Sequence, residues 1–114
     1  MSRPALGLLA LGVLAGSLAP AQVLHARAAT PSVQILKDSY TPQAITVAVG
    51  ETVTWTNVDT TPGNGHTVTS SGRGPLKSSS MSQGGTFSYT FTAAGTFAYY
   101  CAIHPDMTGT VTVR

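Results

Sequence analysis

Charge is scarce in this sequence. Its 114 residues include four Asp or Glu and six Lys or Arg, 9% in all, where about a quarter is ordinary for a soluble domain. The small excess of cations makes no stripe. Arg3 and Arg27 lie in the first 28 residues, and the remainder balances Lys37, Arg73, Lys77 and Arg114 against Asp38, Glu51, Asp59 and Asp106. With no basic face to meet phosphates, nucleic acid is excluded as a partner class. No uninterrupted apolar run reaches the roughly 20 residues that a membrane-spanning helix needs, and from Ser32 onward apolar residues nowhere recur at helical spacing. Cysteine is nearly absent as well. Cys101 stands alone, so no internal disulfide is available, and a free thiol in an exported chain is a liability unless it has a use.

The N-terminal segment reads as targeting sequence rather than fold. Met1-Ser2-Arg3 is a short basic start, Ala5 to Ala19 is apolar and uncharged, and small residues follow at Ala19-Pro20-Ala21 and Ala26-Arg27-Ala28. This is the grammar of a cleavable secretory signal peptide; a membrane anchor is the alternative, for which the run is short. No Arg-Arg pair marks a twin-arginine route, and no Cys near the cleavage region offers a lipid anchor. The expected organisation is a signal peptide over 1–28, cleaved after Ala21 or Ala28, and one domain over 29–114. That domain would work in the periplasm or elsewhere outside the cytoplasm, with no membrane span once the leader is gone.

The remainder alternates in short runs between Gly, Pro, Asn and Asp punctuation. Val33 and Ile35 share a face; so do Ile45, Val47 and Val49, then Val53, Trp55 and Asn57, then Phe87, Tyr89 and Phe91, then Phe97, Tyr99 and Cys101. A Pro/Gly-rich loop from Asp59 to Gly65 leads into His66-Thr67-Val68, and Gly109 to Val113 closes the chain as a last strand. Ser70 to Gly85, dominated by Ser and Gly, reads as a long surface loop with little core. About seven to eight short strands in so few residues predict an all-β, antiparallel Greek-key β-sandwich.

The chemistry sits near the end. Cys101-Ala102-Ile103-His104-Pro105-Asp106-Met107 spaces a thiolate, an imidazole and a thioether three residues apart. Pro105 and Gly109 oppose regular structure, so the segment is a tight loop that can fold three side chains around one point. A fourth ligand comes from elsewhere, and His66 is the only other His after the leader. Taken singly, each has a plainer explanation: Met107 as core filler, Cys101 as a small buried hydrophobe, either His as a satisfied or solvated side chain. Taken together they make a specific request. Thioether is a poor zinc ligand, whereas a trigonal His2Cys plane with a weak axial Met is the blue-copper electron-transfer pattern. Met81, in the Ser-rich stretch, is expected not to be a ligand.

Val53-Thr54-Trp55-Thr56-Asn57, His66-Thr67-Val68-Thr69, Phe91 to Phe97 and Tyr100 to Gly109 together resemble the cupredoxins of the plastocyanin, amicyanin and pseudoazurin group. The likeness runs from about Ser32 to Arg114, and the compact ligand loop is most similar to that of the amicyanins. The resemblance implies one copper held by His66, Cys101 and His104 in the plane and Met107 on the axis. Two departures stand out. The family commonly has Asn straight after the first ligand His, tying the two ligand loops together, and this chain has Thr67. Gly63-Asn64-Gly65 makes the approach to His66 look longer and looser than usual.

The reading that follows is an exported, monomeric blue copper protein that carries one electron between redox proteins such as a c-type cytochrome and a dehydrogenase or oxidase. It is not an enzyme, because protein occupies all four copper positions. A copper carrier or store on the same fold is the alternative, although such proteins present Met-rich or His-rich exposed ligands. A fragment of a multicopper oxidase or nitrite reductase would need further His ligands. The imidazole edge of His104, flanked by Ala102, Ile103 and Pro105, is expected to be an apolar electron port with weak salt dependence, and Tyr100 is a candidate second port.

Overall fold

A computed structural model describes residues 30–114; the expected leader lies outside the described residues, which contain no helix long and apolar enough to cross a membrane. Eight strands follow in chain order among them: β1 (Ser32–Leu36), β2 (Ser39–Thr41), β3 (Ala44–Val47), β4 (Thr52–Asn57), β5 (Thr69–Ser70), β6 (Thr86–Thr90), β7 (Gly95–Tyr100) and β8 (Thr108–Val113). One sheet has the order β2-β1-β4-β6 and the other β3-β8-β7-β5.

The alternation sets the faces. In β4, Val53, Trp55 and Asn57 are buried while Thr52, Thr54 and Thr56 are not. In β8, Gly109, Val111 and Val113 face inward, as the period of two requires. The outer face of the first sheet is closed by hydroxyl pairs, Thr52 with Thr90 at 2.6 Å and Thr54 with Ser88 at 2.7 Å. Val49, expected on the face of Val47, lies beyond the end of β3 and is exposed. There the chain turns through Gly50, whose φ of 96° falls in the region that glycine enters without penalty.

Pairing direction departs from expectation. The all-β sandwich holds, but each sheet includes one parallel pair: β1 runs parallel to β4, with Val33 opposite Trp55, and β3 runs parallel to β8, with Ile45 opposite Val111. The chain leaves the first sheet after β2, forms β3 in the second and returns as β4. Periodicity assigns a face to each side chain, not a partner to each strand.

Between the sheets an aromatic column forms from Tyr40 on Tyr99 (centroids 4.6 Å), Tyr99 on Trp55 (5.5 Å) and Trp55 on Phe87 (5.7 Å), each contact worth about 0.5–1.5 kcal/mol beyond simple burial. Gly109 lies opposite Tyr99 in the ladder, and a Cβ there would run into the Tyr99 ring. The glycine that ends the ligand loop is thus also the seat of a core ring.

The stretch from Ser70 to Gly85 is not a bare surface loop. Leu76 and Met81 are buried in the core. Backbone and hydroxyl bonds hold the segment against the preceding chain: Ser70 N–H to Leu76 O and Ser78 N–H to Val68 O, with Val68 N–H donating to the Ser78 hydroxyl at 2.8 Å. Isolated bridges join Thr69 to Lys77 and His66 to Met81.

Candidate metal centre

Cys101 follows directly on β7 and continues its inward face, after Phe97 and Tyr99. The loop beyond it is two successive turns: His104 N–H donates to Cys101 O at 3.2 Å, and Met107 N–H to His104 O at 2.9 Å. Cys101 N–H then closes on Met107 O at 3.0 Å. Each turn advances three residues, which is the spacing of Cys101, His104 and Met107. The sequence interval and the hydrogen-bond pattern are one device. His66 comes from the far side, clamped through its backbone to Met81 by two bonds of 3.1 and 2.8 Å.

The side chains converge. The Nδ1 atoms of His66 and His104 lie 3.8 and 3.6 Å from Cys101 Sγ, and one ligand atom from each of the three residues lies within 4.8 Å of the others. With metal–nitrogen and metal–sulfur bonds of about 2.0 and 2.3 Å, donors set 120° apart around an ion would be about 3.7 Å apart. The observed edges match that figure, so the donor set fits a trigonal metal. Met107 and Cys101 are buried, and His104 is the ligand candidate nearest to solvent, its side chain 28% exposed. Met81 is core and meets His66 through backbone.

Electrostatics prepare the sulfur. Burial alone would raise the Cys101 thiol, but the Thr67 N–H at 3.3 Å and the two imidazoles outweigh it and bring the pKa down to about 6. A thiolate is the form that binds a metal. At His66 burial disfavours the charged ring, yet the bond to Asp59 and the nearby thiolate prevail and raise its pKa.

Asp59 is the residue that sequence reasoning missed. Its buried carboxylate meets His66 Nε2 at 2.8 Å, accepts the Thr61 N–H at 2.9 Å and accepts the Asn64 amide at 2.6 Å. The bond to His66, followed by that to Thr61, holds its pKa far below the carboxylate range. An acceptor on Nε2 holds a proton there, so Nδ1 donates to the sulfur while the ring is protonated and offers its lone pair to a metal once that proton leaves. Asn64 also donates to Asp38 at 3.2 Å, so Gly63-Asn64-Gly65, expected to be loose, is pinned at its centre. The available signal was the Asn57-Val58-Asp59 pair, whose side chains each cap a backbone N–H two residues on, a turn habit of Asn and Asp.

The surroundings of His104 combine two characters. Ala102, Ile103 and Pro105 are exposed beside it, Ile103 to 48%. On the other side a cleft of about 300 Å³ is lined by Asp38, His104, Pro105, Asp106 and Met107, with Asp38 Oδ1 at 3.8 Å from His104 Nε2. The expected apolar port therefore has an acidic flank.

Known proteins of similar sequence and fold include copper proteins. Amicyanin from Paracoccus denitrificans is 42% identical over 83 residues, a match that takes in 72% of this chain and 63% of that protein. The structure of the Cu(I) form of an amicyanin mutant superposes with a TM-score of 0.66 at 37% identity, over 75% of this chain and 82% of the other. A Cu-containing nitrite reductase from Thermus scotoductus matches at 27% identity and a TM-score of 0.69, but over only 22% of its length against 75% of this chain. The description "Copper binding proteins, plastocyanin/azurin family" matches residues 31–114, and the chain belongs to that family.

Proposed function

We propose that this chain is an exported one-electron carrier whose copper would be held by His66 Nδ1, Cys101 Sγ, His104 Nδ1 and the Met107 thioether. The observation that carries the reading is the convergence of two Nδ1 atoms on one buried, acidified thiol. Bound there, copper supplies a Cu(I)/Cu(II) couple. The chain does the rest. Asp59 fixes the His66 tautomer, Thr67 N–H draws charge from the sulfur, and the paired turns keep Cys101, His104 and Met107 in place while the electron comes and goes. Protein donors fill all four positions, which argues against catalysis at the metal. Export is supported by the leader-like residues 1–28. The partners would be redox proteins such as a c-type cytochrome, a dehydrogenase or an oxidase, met by a single copy of this chain.

Voltammetry of the copper-loaded protein tests the reading. One reversible one-electron wave is expected, and its absence would sink the proposal. A weak axial thioether tunes the potential without holding the fold, so Met107→Gln should lower the potential while Met81→Leu leaves it unchanged. The reverse pattern would transfer the axial role to Met81.

Docking should follow the mixed surface. Among the described residues neither Asp38 nor Asp106 lies within ion-pairing distance of a Lys or Arg, so their charge is available at the port. A partner with lysines around its own redox edge should then react at a rate that falls as salt rises, contrary to the weak dependence expected of an apolar port. Asp38→Asn should flatten that dependence in stopped-flow measurements; an unchanged slope would leave the apolar shelf alone responsible.

A further inference from the structure

The antiparallel ladder between β5 and β7 pairs Ser70 with Tyr99 and Thr69 with Tyr100, and one step outward Ser71 N–H donates to Ala98 O at 3.0 Å. Continued toward the metal centre, the same register makes Thr67 and Ala102 the next pair to exchange backbone bonds. They do not. Thr67 O is taken by the Tyr40 hydroxyl at 2.5 Å. Ala102 N–H donates instead to the Thr67 hydroxyl at 2.8 Å, and Thr67 N–H donates to Cys101 Sγ at 3.3 Å. Both backbone acceptors of that pair are replaced by side-chain atoms. The ladder goes on, but it is splayed so that the thiolate becomes one of its acceptors.

A hydroxyl standing in for a carbonyl has a weakness that a carbonyl lacks, because it can rotate. Here it has a second anchor: Thr67 Oγ1 lies 2.9 Å from Thr69 Oγ1, and Thr69 belongs to β5 and is fixed by the ladder itself. We infer that Thr69 is a positioning residue for the metal centre, its hydroxyl locking that of Thr67 so that the His66 and Cys101 segments are tied across the splayed end of the ladder. The inference rests on the proposed copper site for its effect on redox behaviour and on geometry alone for the tie.

The test separates the two. In the metal-free protein, Thr69→Val keeps the shape and removes the hydroxyl, and the Ala102 amide should exchange with solvent about five to ten times faster. Amides of the sheet interior, such as that of Val111, should be unchanged, and Thr69→Ser should restore protection. In the copper-loaded protein the Val variant should show a lower reduction potential, because a less constrained Thr67 N–H leaves more charge on the sulfur and favours the oxidised metal. If Ala102 exchange is the same in Thr69→Val and wild type, the tie is refuted. Should the Val substitution prevent folding, Thr67→Val with Thr69 intact gives the same readout at Ala102, and no acceleration there overturns the proposal equally. Faster exchange in a protein that takes up no copper would uphold the tie and defeat the copper reading instead.

Discussion

Replacing Cys101 by serine is expected to remove the visible colour of the Cu(II)-loaded protein entirely. The intense band of a blue copper site is charge transfer from an equatorial thiolate, and the chain has one sulfur that can supply it. The Thr67 N–H and the two Nδ1 atoms beside it bring the pKa of that sulfur to about 6, so that it is ionised at neutral pH. A serine hydroxyl would remain protonated under the same influences and offer neither charge nor a suitable orbital energy. Two imidazoles would still stand close enough to take Cu(II), so the variant should bind copper more weakly and without the band. Titration of wild type and variant with Cu(II), followed by visible absorption, makes the comparison. Wild-type protein saturating at one copper per chain is expected; a colourless wild-type complex that prefers Zn(II) would turn the centre into a structural metal site.

Asp59→Asn should weaken copper binding about 10- to 100-fold while the protein still folds, the usual scale for losing the partner that orients a ligating imidazole. Every neighbour of this carboxylate is a donor: the His66 ring, the Thr61 N–H and the Asn64 amide. An asparagine brings an NH2 group into that ring of donors, so at least one of them loses its acceptor. The effect has a pH signature. Asp59 raises the His66 pKa, so in the wild type a proton competes with the metal on His66 as the pH falls through that raised value. The Asn variant relieves this competition even as it loses the orienting bond. The affinity gap should be widest at alkaline pH and narrow on acidification, which competition titrations at pH 8 and pH 6 would show. A gap that widens toward low pH would mean that Asp59 acts through overall stability instead.

What could be read in the sequence was what repeats at short range. Period-two alternation put Trp55, Tyr99 and Cys101 on inward faces without any knowledge of their partners, and the three-residue spacing of Cys101, His104 and Met107 announced a loop with convergent side chains. Parallel pairing of β3 with β8 was not legible, because it joins residues more than sixty positions apart and leaves no local mark. Leu76 and Met81 were overlooked for a related reason: each is a single apolar residue in a Ser/Gly background, too sparse to set up a period. Asp59 carried the ordinary appearance of a turn residue. Its chemical role depends on which imidazole nitrogen it meets in space, and six residues of Pro/Gly-rich chain separate it from His66.

The parallel seam between β3 and β8 joins the two ends of the domain. The groups that acidify the thiol, Thr67 and His66 on one side and His104 on the other, come together around Cys101 only in the folded domain, whose last strand docks on a segment made near its start. Pairings of such long separation are slow to form, on the scale of milliseconds to seconds in small β-proteins. Throughout that interval Cys101 behaves as an ordinary thiol, about a few per cent ionised at neutral pH, and reacts slowly with oxidants or with the thiols of other chains. Once the strand docks, the sulfur becomes a thiolate and is enclosed in the same event. The unfolded chain therefore does not display a reactive sulfur, and disulfide-linked dimers are disfavoured first by protonation and then by burial.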